Sequence, residues 1–98
     1  MFGLSENIIQ SIYSVFAKHD AVKTVLIFGS RAKGNFENGS DIDLAIEDEV
    51  SAEELEKIKN ELEDLELLYG IDIISYKKLK DEPLKQHIDR VKKIFYKK

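Results

Sequence analysis

Residues 24–46, TVLIFGSRAKGNFENGSDIDLAI, decide the fold of this 98-residue chain. Thr24 to Phe28 is a β-branched and aromatic run of strand length that stops at Gly29. Gly34, Asn35, Asn38 and Gly39 then punctuate residues 31–39, which predicts a short helical turn and a polar loop. Beyond the loop, Ile42, Leu44 and Ile46 alternate with Asp41, Asp43 and Ala45 at the two-residue period of a half-buried strand. A hydroxyl therefore leaves the first strand and two carboxylates open the second.

Working outward, Ile8, Ile9, Ile12, Val15 and Phe16 form a helical stripe over Ser5 to His19, with Ser5 as N-cap. Downstream, Ser51 and Glu54 predict a capping box. Leu55, Ile58, Leu62, Leu65 and Leu68 continue as one helical stripe, and Gly70 stands where a left-handed C-terminal cap is expected. Ile71 to Ser75 reads as a third strand. Pro83 suits the first turn of a helix through Leu84, His87, Ile88 and Val91, and Lys93 to Tyr96 reads as a fourth strand. The order helix–strand–strand–helix–strand–helix–strand predicts an α/β (α+β) two-layer sandwich, as a single domain spanning residues 1–98.

Composition narrows the function. The chain is 43% hydrophobic and 35% charged with apolar residues in periodic blocks, which fits a folded soluble domain. It has no cysteine, excluding disulfides and thiolate metal sites and agreeing with a cytoplasmic setting. No export signal or membrane-spanning run is visible, so no membrane partner is expected. A formal charge of −4 argues against direct nucleic-acid binding, and the lysines of 77–98 are interrupted by acidic residues.

Asp41 and Asp43, at i and i+2 of a strand, project to one face while Ile42 and Leu44 enter the core. Adjacent carboxylates repel each other, and a bound Mg²⁺ reverses that penalty because hard cations take oxygen ligands shared with substrate phosphates. Asp72 places a charge in the middle of the apolar strand Ile71-Asp72-Ile73 and is the candidate third ligand. A solvent-facing edge position is the competing account of Asp72. At Gly29-Ser30 the strand gives way to a turn whose backbone N–H groups and hydroxyl suit phosphate oxygens, with Arg31 and Lys33 as nearby positive charges. Gly29 and Gly34 have the spacing of a Walker A loop, but Asn35 and Phe36 replace its Lys and Ser/Thr, so it is not a P-loop. His19 and His87 are too far apart in sequence to support a zinc site, and Glu47-Asp48-Glu49 reads as a solvated loop.

The string Gly29-Ser30-x10-Asp41-x-Asp43 resembles the signature of the polymerase-β-type nucleotidyltransferase superfamily, and the short chain resembles its minimal nucleotidyltransferases (MNT), the antitoxin partners of HEPN-domain toxins. That resemblance implies a mixed sheet, with Asp41, Asp43 and Asp72 as catalytic metal ligands and Gly29 and Ser30 on the nucleotide phosphates. It further implies one or two Mg²⁺ ions, replaceable by Mn²⁺, and ATP as substrate. The implied reaction transfers AMP to a tyrosine hydroxyl of a partner HEPN toxin, with Asp72 as candidate general base.

Because the catalytic module takes up nearly all 98 residues, the acceptor is expected at an interface with another chain, where Phe36, Tyr69, Tyr76, Phe95 and Tyr96 are candidate contacts. A homo-oligomer is compatible with such a chain. The alternatives are a non-catalytic nucleotide-binding antitoxin that neutralises its partner by binding, and a small-molecule transferase of the aminoglycoside kind.

Overall fold

In a computed structural model, which describes residues 1–37 and 39–98, four strands form one mixed sheet of order β3-β2-β1-β4. Asn38, which the sequence assigns to the polar loop, lies outside the described residues. The elements in chain order are α1 (Glu6–Ala17), β1 (Thr24–Phe28), α2 (Gly29–Lys33), β2 (Ile42–Ile46), α3 (Ala52–Glu63), β3 (Ile71–Ser75), a 3₁₀ turn (Tyr76–Lys78), α4 (Glu82–Val91) and β4 (Lys93–Lys97). β1 runs antiparallel to β2 and β4, whereas β2 and β3 are parallel, with α3 making the crossover that a parallel pair requires.

Helices α1 and α3 start at the caps expected of them, and α4 starts at Asp81, a cap its sequence reading did not name. Ser5 accepts the Ile8 N–H at 3.3 Å, Ser51 the Glu54 N–H at 3.0 Å, and Asp81 the Leu84 N–H at 3.1 Å. Strand alternation then sorts the side chains. Val25 and Ile27 of β1, with Ile42, Leu44 and Ile46 of β2, pack on Ile9, Ile12 and Phe16 of α1 and Ile58 and Leu62 of α3. Leu26, Phe28 and Ala45 face the other way and are covered by Ile88 of α4. Helices thus lie on both faces, with α1 and α3 forming the main layer and α4 covering only part of the opposite one. Truncating the fully buried Ile88 to Ala would cost about 2–5 kcal/mol and uncover that second patch. β4 is secured to α1 by the Tyr13 hydroxyl, which donates to the Phe95 carbonyl, and by edge-on contacts of the Tyr13 ring with Phe95 and Tyr96.

Several local expectations are corrected. α3 ends at Glu63 rather than continuing to Leu68, and Leu68 is 97% exposed. The left-handed position after the helix is Glu66 (φ 52°), not Gly70, whose carbonyl instead accepts the Ile42 N–H at 2.8 Å. Asp48 is no solvated loop residue: one of its carboxylate oxygens accepts the N–H groups of Lys23 and Thr24 at 2.7 and 2.8 Å, tying the entry of β1 to the exit of β2. The capping box is only half formed, because the Glu54 carboxylate turns to His19.

Candidate active site

The face of the sheet that α4 leaves partly uncovered carries the carboxylates. In the parallel β2–β3 ladder Asp43 is the register partner of Asp72, so both side chains project from the same face on strands about 4.8 Å apart. Asp41, two residues before Asp43, stands on that face at the mouth of β2. β3 is an edge strand and Asp72 is exposed, close enough for its charge to act on Asp43.

The three carboxylates act on one another electrostatically. Burial first, then the charges of Asp72 and Asp41, push the Asp43 carboxyl above the usual aspartate range, and His87 on α4 partly offsets them. His87 therefore belongs to the surroundings of this acidic face, which its sequence position did not reveal. None of the three aspartates takes part in an ion pair among the described residues.

Gly29 closes the site from the β1 side. It adopts φ 76°, a conformation that favours glycine, and a Cβ there would lie 2.3 Å from Asp43 Oδ2. Glycine is required twice, once for the turn and once for the approach of the carboxylate. Ser30 follows in the first turn of α2, half-buried, while Lys33 is exposed at that helix's end. At the opposite rim a Cβ on Gly70 would lie 2.7 Å from Asp41 Oδ1, so Asp41 rests against the main chain that leads into β3.

Arg31 does not join the phosphate-facing group expected of it. It is 2% exposed, turned inward, and donates to the carbonyls of Ser40 and Phe2 at 2.9–3.0 Å. A guanidinium committed to backbone carbonyls in the interior is not placed to neutralise an incoming triphosphate.

The donor set fits a divalent cation. All three side chains offer hard carboxylate oxygens, and Asp43 Oδ2 fills the space that a side chain at residue 29 would take. Among the described residues no three acidic or histidine side chains are already gathered closely enough to hold one ion, so Asp41 and Asp72, both exposed, would have to turn inward.

A second polar cluster was missed from sequence. His19 is 8% exposed, and its Nδ1 and Nε2 meet Glu54 Oε2 at 2.6 Å and Glu61 Oε1 at 3.0 Å. Burial alone would lower its pKa, but the two carboxylate hydrogen bonds prevail and hold it above 6.5. The ring joins the end of α1 to α3, and in its protonated form both nitrogens donate to these carboxylates.

A mixed four-stranded sheet with helices, a Gly-Ser turn and an acidic face at the ends of the two parallel strands define a nucleotidyltransferase. The sequence profile of the family described as polymerase beta, nucleotidyltransferase matches residues 10–98, and the chain belongs to that family. Its fold is similar to that of a toxin–antitoxin crystallised with AMP-PNP, with TM-score 0.69, 19% identity, and coverage of 97% of this chain and 75% of that one. A MntA–HepT toxin–antitoxin structure aligns with TM-score 0.67 at 14% identity over 96% of this chain and 74% of that one. A Sulfolobus solfataricus protein described as a nucleotidyltransferase aligns with TM-score 0.55 at 18% identity over 98% and 92%. At these identities the likeness is one of fold. No curated protein sequence matches the chain. Among the described residues no helix is long and apolar enough to cross a membrane.

Proposed function

We propose that this nucleotidyltransferase moves AMP from ATP to a hydroxyl of a partner protein, a tyrosine of a HEPN toxin, and acts as that toxin's antitoxin. The in-register pairing of Asp43 with Asp72, beside a glycine that admits the carboxylate, carries the reading. The likeness to toxin–antitoxin structures, one of them with AMP-PNP, supports the partner class and the nucleotide.

Asp41, Asp43 and Asp72 would hold Mg²⁺, or Mn²⁺ in its place. A divalent ion in such a site lowers the pKa of an attacking hydroxyl and offsets charge on the triphosphate. Ser30, at the start of α2, donates its hydroxyl to a phosphate oxygen, Gly29 lets the phosphates approach the main chain, and the exposed Lys33 supplies positive charge near the leaving pyrophosphate. The acceptor oxygen attacks the α-phosphorus, the bond to the β-phosphate oxygen breaks, and pyrophosphate leaves. Asp72, exposed on an edge strand, is the carboxylate best placed to take the acceptor proton. The test is label transfer from α-labelled ATP to a co-expressed HEPN protein. Transfer that survives Asp41→Asn with Asp43→Asn would rule out this chemistry.

A further inference from the structure

Arg31 is buried, cationic and without an ion pair among the described residues, an arrangement that is costly unless every donor is well used. Its Nε and one terminal nitrogen both donate to the Ser40 carbonyl, at 3.0 and 2.9 Å, and the other terminal nitrogen donates to the Phe2 carbonyl at 2.9 Å. Its guanidinium carbon lies over two rings, 4.9 Å from the centre of Phe36 and 4.8 Å from that of Tyr69. Ser40 immediately precedes Asp41, and Tyr69 immediately precedes Gly70. Asp41 and Gly70 approach each other across the rim, where a Cβ on Gly70 would lie 2.7 Å from Asp41 Oδ1, and the Ile42 N–H donates to the Gly70 carbonyl at 2.8 Å. One side chain therefore holds both loops at the residue just before they meet.

We propose that Arg31 is a positioning residue for the acidic face, stapling the loop that delivers Asp41 to the loop that delivers Asp72. The proposal rests on the reading of these carboxylates as metal ligands, and it replaces contact with phosphate as the role of Arg31. A lysine cannot reproduce it, because an ammonium lacks both the fork that grips one carbonyl twice and the flat face that stacks on two rings.

The test uses the full chain with Arg31→Lys, and with Tyr69→Leu as a second variant that keeps apolar bulk but removes one stacking face. Tyr69→Phe should restore parental behaviour. In the metal-free protein, amide exchange at Ile42 should accelerate by about tenfold or more while the amides of β1 stay as protected as in the parent, since the opening is local. Mn²⁺ alone, titrated by electron paramagnetic resonance without nucleotide, should bind about 10- to 100-fold more weakly, the usual cost of losing a group that orients metal ligands. Unchanged Ile42 exchange and Mn²⁺ affinity in both variants would overturn the proposal, as would acceleration spread evenly over the sheet. Loss of ATP affinity with Mn²⁺ binding and Ile42 exchange intact would return Arg31 to the phosphates. A parent that binds no Mn²⁺ would defeat the metal reading, and Ile42 exchange would still decide whether Arg31 staples the loops.

Discussion

Asp43 and Asp72 are partners in a parallel ladder, brought side by side by a register in which Ile42 pairs with Ile71 and Leu44 with Ile73. The apolar residues on either side lock that register, because a slip of one residue would turn each strand's buried set outward. The acidic pair is thus positioned by the core beneath it.

That position costs stability. Burial and its acidic neighbours raise the Asp43 pKa above 3.8, so the folded state gains from protonation below that value and loses the gain as pH rises through the higher folded value. At neutral pH, Asp43→Asn should raise the melting temperature of the metal-free protein while abolishing label transfer. A melting temperature that falls would contradict the repulsion.

Mg²⁺ should stabilise the parent and not this variant. At one hundred times its dissociation constant a ligand of the folded state adds about 2.7 kcal/mol, and a chelator should remove the gain. Equal ATP affinity by calorimetry with and without chelator would exclude a role for the carboxylates in nucleotide binding.

Gly29→Ala should destabilise by about 1–3 kcal/mol from backbone strain, measured by urea unfolding, and should also abolish transfer because the new methyl displaces the Asp43 carboxylate. A fully active, equally stable variant would show that the turn tolerates a side chain.

Ser30→Ala tests the phosphate contact. The loss of one hydrogen bond to a charged group is about 1.5–3 kcal/mol, or roughly 10- to 150-fold in the dissociation constant for Mg·ATP. An unaltered constant would leave Ser30 as an ordinary turn residue.

The His19 cluster sets a pH window. Its raised pKa gives stabilisation that is complete below about 6.5 and is lost as pH rises through the folded value. The hydrogen bond from His19 lowers the Glu61 pKa from 4.5, giving stabilisation present above that value and lost as pH falls. Thermal melts should therefore show the contribution at its fullest between about pH 4.5 and 6.5, and His19→Gln should flatten that dependence.

The strands, the helices and the spacing from Gly29-Ser30 to Asp41 and Asp43 were legible because each is a local pattern. The i, i+2 pairing puts two carboxylates on one face whatever else the chain does, and Ser5 and Ser51 act on N–H groups three residues away. Leu68 was misread because apolar periodicity continues past Glu63 while the chain does not: Glu66 turns it into the left-handed region and the stripe ends. Arg31 was misread because a basic residue beside a phosphate-type turn has the same composition whether it points out or in.

Sequence alone determined that a hydroxyl follows one strand and two carboxylates open the next at a fixed spacing, since strand period and turn chemistry depend only on near neighbours. Tertiary structure decided that Asp72 stands beside Asp43, that Gly70 rests on Asp41, that His19 joins two glutamates, and that Arg31 links residues 2, 40 and 69. Those contacts join residues far apart in the chain, and only packing of the sheet against its helices brings them within reach.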